Sequence, residues 1–164
     1  MDKKQNLSDF FLNKNSDFSK FKIGILVSEW NEAITGSLKQ GAQQTLKEYG
    51  VLPQNIITHA VPGSFELPTA AVMILEGDDT LDAVICLGCI IQGETRHFEF
   101  IAQAVATGLV QVGVDYNSPV IFGVLTCNTY QQAEDRAGGK HGNKGIEAAV
   151  SCLKMLELER KLKH

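Results

Sequence analysis

Short apolar segments of strand length alternate with longer segments of helical periodicity along most of this chain, and this alternation limits the possible folds most strongly. Four segments are nearly all apolar, as buried strands are: FKIGILVS from residue 21, NIITHAV from 55, LDAVICLG from 81 and PVIFGVLT from 119. Helical patterns lie between or after them: one that ends near Gly50, one from about Phe65 to Leu75, one through Phe98, Ile101, Ala102, Val105 and Leu109, and one from Lys144 to Lys161. Such strands separated by helices predict a parallel sheet covered on both faces. We therefore expect an α/β three-layer sandwich with a four-stranded parallel sheet.

The length of 164 residues is that of one domain. Residues 1–20 are polar and carry Phe10, Phe11 and Phe18 without a clean period, which indicates an N-terminal arm rather than a part of the core. We expect a single domain over residues 21–164. The arm contains no proline and is suited to add a strand to the sheet of a neighbouring copy.

Charge and hydropathy exclude several classes of function. The formal net charge is −4, which argues against a non-specific nucleic-acid binder and against a polybasic membrane-surface protein. No apolar run approaches the roughly 18 residues that span a bilayer, and the N-terminal segment lacks the apolar stretch of a secretory signal. We expect a cytoplasmic protein whose partners are small molecules or proteins.

The chain has four cysteines, which raises the question of a metal or disulfide site. Cys86 and Cys89 are three residues apart in an apolar strand, so their side chains point to opposite faces of the sheet. We interpret the cysteines as small buried hydrophobic residues. No histidine pair has the spacing of metal ligands on a helix, and no catalytic metal is expected.

Polar, aromatic and glycine residues follow each predicted strand, at the sheet edge where parallel sheets bind ligands. Trp30 follows the first strand and Phe65 the second, so the two rings could form a slot for a flat ligand, although a lone aromatic is more often core. Glu66 begins the second helix and could accept hydrogen bonds from hydroxyls or simply complement the helix dipole.

Two further groups favour anion binding and proton transfer. Gly93, Glu94 and Thr95 are predicted to open the third helix, whose first N–H groups can bind phosphate, and His97 falls in the first turn as a candidate proton-transfer group. Arg136 and Lys144 flank AGGKHGN, which we interpret as a flexible cationic loop suited to phosphate. The alternatives are a solvated surface histidine and a solvated charge pair.

Four motifs occur together in order: VPGSFELP at 61–68, GCIIQGETRHFEF at 88–100, PVIFGVLT at 119–126 and QAEDRAGGKHGNKG at 132–145. In sequence and spacing they closely resemble the lumazine synthase family, from about Phe21 to Leu158. The resemblance implies a flavodoxin-like fold. It also implies condensation of 5-amino-6-(D-ribitylamino)uracil with 3,4-dihydroxy-2-butanone 4-phosphate to 6,7-dimethyl-8-ribityllumazine, phosphate and water, the penultimate step of riboflavin biosynthesis. No cofactor is implied.

The resemblance also implies residue roles. Trp30 matches the aromatic that stacks on the pyrimidine, and the other substrate contacts match Ser64, Phe65 and Glu66 for ring and ribityl chain, Ile90 and Ile91 for the pyrimidine edge, and Gly93, Glu94 and Thr95 for phosphate. His97 matches the proton-transfer residue. Phe122, Arg136 and Lys144 match residues that enter the site from a neighbouring subunit, Arg136 pairing with the phosphate. Two residues depart from the family pattern: Gln92 stands where Arg is common and Arg96 where Pro is frequent.

The family implies self-association into pentamers, decamers or sixty-subunit shells, and the sequence does not decide among them. Two other functions remain open at this stage: a flavin- or lumazine-binding carrier without turnover, and a mainly structural shell subunit. Retention of His97, Arg136 and Lys144 together favours the enzyme.

Overall fold

The computed structural model describes residue 12 and residues 15–163. Its main elements are four parallel strands, β1 (Ile23–Ser28), β2 (Ile56–Val61), β3 (Ala83–Ile91) and β4 (Val120–Cys127), with α1 (Glu32–Glu48), α2 (Leu67–Gly77) and α3 (His97–Tyr116) between them. A short helix α4 (Tyr130–Glu134), two short strands β5 (Ala137–Gly139) and β6 (Gly142–Asn143), and α5 (Lys144–Leu162) follow. Single 3₁₀ turns occupy Pro53–Asn55 and Ser64–Glu66.

The sheet order is β2-β1-β3-β4, with every neighbouring pair parallel. Apolar residues bury both faces of this sheet: Ile23, Ile25 and Val27 of β1 lie in the core with α1 and α5, whereas Leu26 lies in the core with α2 and α3. This alternation is the two-residue period of a strand that is covered on both faces. The predicted three-layer sandwich is confirmed, and its strand order is flavodoxin-like.

Helices α1 and α5 approach so closely that glycine is required at their crossing. A Cβ at Gly145 would overlap the carbonyl oxygen of Leu38. Beside this contact, the Asn143 side chain begins α5 by accepting a hydrogen bond from Gly145 N–H at 2.8 Å, and its Nδ2 donates to the carbonyl of Ser37 at 3.1 Å. A capping side chain that also bonds the neighbouring helix fixes where α5 starts.

The cysteines lie where the sequence places them. Cys86 is buried in the core on the α2 and α3 face and Cys89 in the core on the α1 and α5 face, which confirms the predicted opposite orientation. Burial raises the pKa of the Cys89 thiol to about 12 and raises the pKa of the Cys86 thiol as well. Such thiols stay protonated and unreactive at neutral pH.

The interpretation of residues 1–20 as lying outside the core is wrong for two residues. Leu12 and Phe18 are only 5% and 1% exposed and belong to the core on the α1 and α5 face. Arg160 of α5 lies over the Phe18 ring, with its guanidinium carbon 5.9 Å from the ring centroid. Residues 1–11, 13 and 14 lie outside the described part of the chain, so the predicted arm strand and its Phe10 and Phe11 stay untested. No helix among the described residues is long and apolar enough to cross a membrane.

Candidate functional site

The carboxyl edge of the sheet has a crevice between β1 and β3, where the order in which the strands are added reverses. The chain passes from β1 outward to β2 and returns to place β3 on the other side of β1. The segments after β1 and β3 therefore diverge and leave a crevice, which is the usual ligand position in an open parallel sheet. The predicted residues from Trp30 to His97 follow β1, β2 and β3 at this edge, except Ile90 and Ile91, which are the last two residues of β3.

The Trp30 indole lies beside the segment that follows β2. A Cβ placed on Gly63 would lie 3.2 Å from Trp30 Cδ1 and 3.0 Å from Glu66 Oε2, so the indole and the carboxylate converge above this glycine. Trp30 is 72% exposed and Phe65 is 57% exposed. Because neither ring is buried in the core, both present apolar faces on which a flat ring could stack.

Ser64 lies on the 3₁₀ turn between Phe65 and the sheet. It is 6% exposed, and its hydroxyl has no hydrogen-bond partner among the described residues. Its side chain packs directly onto Gly88 of β3. Buried hydroxyls are normally hydrogen-bonded, so the Ser64 hydroxyl is a donor and acceptor that the fold leaves unsatisfied beside β3.

The end of β3 offers free backbone groups to the crevice. Pairing between β1 and β3 ends at Val27 and Leu87, whereas pairing between β3 and β4 continues to Ile91. Gln92 N–H donates to the Cys127 carbonyl at 2.9 Å, on the β4 side. Since backbone groups alternate sides along a strand, the N–H and C=O of Ile91 face the side that β1 has left.

The same alternation corrects part of the expectation for this segment. The third predicted strand, LDAVICLG, extends further than expected, because Ile90 and Ile91 also belong to β3. Ile90 directs its backbone groups toward β4 and is 8% exposed, so Ile91 is the residue whose backbone can meet a ligand edge.

Gly93, Glu94 and Thr95 lie before α3 and do not open it, contrary to the prediction. Glu99 N–H donates to the Arg96 carbonyl at 3.0 Å, and the helix begins at His97. His97 therefore lies in the first turn of α3, as predicted. The exposed loop is nevertheless next to the helix N-terminus. Apart from its two chain neighbours, no described residue has an atom within 4 Å of a Cβ placed on Gly93, which leaves room for a ligand.

A second group of predicted residues lines a cavity of about 380 Å³ along β4. Phe122 is 44% exposed on this edge strand, and Arg136 and Lys144 contribute the positive charge. Lys144 Nζ is 2.7 Å from Oε2 of Glu147, whereas Oε1 of Glu147 is buried without a partner. The cations suit an anionic ligand, and the Glu147 Oε1 atom, which accepts no hydrogen bond from the described residues, could accept one from a hydroxyl or N–H of that ligand.

The segment between Arg136 and Lys144 is an ordered hairpin, which corrects its interpretation as a flexible loop. Strands β5 and β6 pair antiparallel, and Lys144 N–H donates to the Arg136 carbonyl at 2.8 Å. Gly138 and Gly142 have φ values of 113° and 78°, which only glycine adopts readily. Arg136 Nη1 also donates to the Gln132 carbonyl at 2.9 Å, so the hairpin and α4 hold both cations in place.

One chain does not bring the two groups together. Among residues 12 and 15–163, those that line the cavity along β4 come from β4, α5 and Arg136, and none of the predicted residues from Trp30 to His97 lines it. A separate groove of about 750 Å³ beside β2 and α2 includes Phe65 and Glu66 but no residue of the cationic group. The described part of the chain contains no cluster of three or more His, Cys, Asp or Glu side chains that could hold a metal ion.

Two residues of the site were not found from the sequence. Glu147 was not assigned to the site, yet it pairs with Lys144, and its i, i+3 spacing was the available signal. Nothing in the sequence singles out Asn31, whose side-chain Nδ2 donates a hydrogen bond to the Cys89 carbonyl of β3. Its contact with β3 joins residues 58 positions apart, for which the sequence carries no local signal.

Comparison with known proteins gives a consistent result. Residues 20–160 match the family model described as 6,7-dimethyl-8-ribityllumazine synthase. Curated proteins of that name are similar to this chain: that of Cytophaga hutchinsonii is 57% identical over 81% of this chain and 83% of the relative. That of Porphyromonas gingivalis is 52% identical over 94% and 96%, and that of Parabacteroides distasonis is 49% identical over 93% and 94%.

Proposed function

The chain belongs to the 6,7-dimethyl-8-ribityllumazine synthase family, and on this premise we propose that the carboxyl edge of its sheet and the cavity along β4 are two halves of one active site. The enzyme is a transferase of riboflavin biosynthesis. It condenses 5-amino-6-(D-ribitylamino)uracil with 3,4-dihydroxy-2-butanone 4-phosphate to 6,7-dimethyl-8-ribityllumazine, phosphate and water. No observation favours a carrier or shell subunit without turnover.

The first half binds the pyrimidine in this proposal. Trp30 and Phe65 supply aromatic faces, and the free backbone N–H and C=O of Ile91 pair with the polar edge of the ring. Ser64 and Glu66 lie on the turn beside this slot, and the Glu66 carboxylate next to the indole can bond the hydroxyls of the ribityl chain. Because the Ile91 N–H and C=O are held in place by the strand, they select a heterocycle by its pattern of hydrogen-bond donors and acceptors rather than by its charge.

The loop before α3 and His97 act on the butanone phosphate. Gly93, Glu94 and Thr95 offer backbone N–H groups near the helix N-terminus, where an anion is favoured. His97 moves protons as the 5-amino group adds to the ketone, water leaves to form the imine, and phosphate is eliminated. The ribitylamino nitrogen then adds to the carbonyl that forms at the neighbouring carbon, and loss of a second water closes the ring. Holding two reactants in contact supplies much of the rate in a condensation of this kind.

The second half comes from another copy of the chain. Phe122, Arg136 and Lys144 of one copy would complete the slot of its neighbour, with Arg136 and Lys144 pairing with the phosphate that is released. The observation that carries this proposal is the position of the cations on the β4 edge, in a cavity without any ring-slot residue. The proposal includes pentamers or larger assemblies, and a cytoplasmic location as for other steps of small-molecule biosynthesis.

Replacement of His97 tests the assignment of the first half. We expect His97→Ala to fold normally and to lower turnover by roughly ten- to a thousandfold, the contribution of one proton-transfer group. Gln111→Ala, which removes an exposed side chain near the other end of the same helix, is the control and should keep normal turnover. Unchanged turnover in His97→Ala would overturn the role of His97.

A further inference from the structure

Asn31 joins the segment after β1 to the end of β3. Its side-chain Nδ2 donates a hydrogen bond of 3.1 Å to the carbonyl of Cys89. Its backbone has φ 60° and ψ 49°, in the left-handed region that Asn tolerates better than most residues. The backbone carbonyl of Asn31 accepts from Ile34 N–H at 2.9 Å and from Thr35 N–H at 3.0 Å, so Asn31 also begins α1.

The side chain does not make the contact expected at this position. An Asn that begins a helix usually accepts a hydrogen bond from the N–H groups of the first turn. The Asn31 side chain makes no such bond, and its amide is directed across the crevice to β3 instead. Helix α1 thus begins without a side-chain cap from Asn31, and the Asn31 amide instead links the segment after β1 to the end of β3.

This contact replaces the missing strand pair. Beyond Val27 and Leu87, β1 no longer pairs with β3, so the Cys89 carbonyl has no ladder partner on that side. Asn31 fills this position, and the next free backbone groups along the same edge are those of Ile91. Trp30 directly precedes Asn31, so the backbone that carries the indole is anchored to the end of β3 at the next residue.

We propose that Asn31 is a positioning residue, whose side-chain amide holds Trp30 opposite the free backbone of Ile91 so that the pyrimidine slot exists before substrate binds. This inference rests on the proposed ring slot. A preformed slot avoids the cost of ordering the loop on binding, so loss of the tether weakens binding of the pyrimidine rather than of the phosphate substrate.

Three variants isolate the amide from the backbone. Asn31→Gly accepts the left-handed conformation without strain but removes the donor. Asn31→Asp keeps the shape of the side chain but turns a carboxylate toward the Cys89 carbonyl. Asn117→Gly is the matched control, because Asn117 has a φ of 47° and ends α3 away from the ring slot.

Steady-state kinetics give the first readout. We expect Asn31→Gly and Asn31→Asp to raise KM for the ribitylaminouracil about tenfold, the effect of losing roughly one hydrogen bond, and to change KM for the butanone phosphate less than twofold. Asn117→Gly should change neither. A uniform loss of kcat without a change in KM for the ribitylaminouracil would overturn the proposal, as would unchanged kinetics in both Asn31 variants.

Trp30 gives a second readout, because it is the one tryptophan among the 164 residues. We expect lower steady-state fluorescence anisotropy of the indole in both Asn31 variants than in Asn117→Gly, and unchanged anisotropy would overturn the tether. If Asn31→Gly fails to fold, Asn31→Asp carries both readouts.

Trp30→Ala separates the proposed ring slot from the positioning role of Asn31. If Trp30→Ala leaves KM for the ribitylaminouracil unchanged, the ring slot itself is wrong. If Trp30→Ala raises that KM and the Asn31 variants do not, only the positioning role is wrong.

Discussion

Mixed assemblies of two inactive variants test whether the site is divided between copies. His97→Ala damages only the half at the carboxyl edge of the sheet, and Arg136→Ala damages only the half along β4. If each site takes one half from each of two neighbouring copies, an assembly that contains both variants includes sites in which both halves are intact. A chain that builds its whole site alone gives no such sites.

The expected recovery follows from the geometry of a head-to-tail ring. In an equimolar random assembly, the first half is intact with a probability of about one half, and the adjoining second half is also intact with a probability of about one half. About one quarter of the wild-type activity should therefore return, independent of the number of copies in the ring. Each variant alone should show no more than about one tenth of that activity.

The two variants are unfolded together in denaturant, refolded and assayed for lumazine formation, beside a sample mixed after separate refolding. The doubly substituted chain, refolded with wild type, controls for exchange of copies, because random assembly should lower activity from about one half to about one quarter. If that control shows exchange and the two single variants recover no activity beyond their sum, the divided site is refuted.

Two further predictions concern packing and charge. Gly145→Ala drives a Cβ into the Leu38 carbonyl and should lower the free energy of unfolding in urea by about 2–3 kcal/mol. Gly36→Ala, whose Cβ meets nothing within 4 Å in the interior of α1, should raise the free energy of unfolding by about 0.5–1 kcal/mol, and equal effects of the two would contradict the close crossing. Lys144→Met leaves the Glu147 carboxylate unpaired and should lower the free energy of unfolding by about 1 kcal/mol, since Lys144 is 39% exposed, and should weaken binding of inorganic phosphate in calorimetry. Adding Glu147→Leu should restore stability but not phosphate affinity, and recovery of both would show that Lys144 is not a phosphate ligand.

The sequence predicts the sheet and its helices because those elements carry strong periodic signals. The strands β1 and β3 are apolar and buried on both faces, and each helix between the strands buries apolar residues against the sheet. The hairpin at Ala137–Gly139 and Gly142–Asn143 has neither signal, since it is short and rich in glycine. Phe18 was likewise placed outside the core, because an isolated aromatic in a polar segment has no period that would indicate its partners.

The sequence predicts which side chains form the site better than it predicts which backbone groups face it. Residue types such as His97 and Arg136 could be chosen because chemistry and motif order single them out. The direction in which backbone groups point could not be predicted, because it depends on where β1 stops pairing with β3. That position leaves the backbone of Ile91 free, whereas the backbone of Ile90 faces β4. The tether from Asn31 to Cys89 depends on the same divergence of strands.

The central claim is that this chain catalyses lumazine formation, and the most direct measurement mixes the purified protein with its two substrates. The ribitylaminouracil and the butanone phosphate are combined, and lumazine absorbance and released inorganic phosphate are followed together against the spontaneous reaction. We predict equal amounts of lumazine and phosphate, formed well above the uncatalysed rate. Tight binding of the lumazine without any acceleration would contradict the claim.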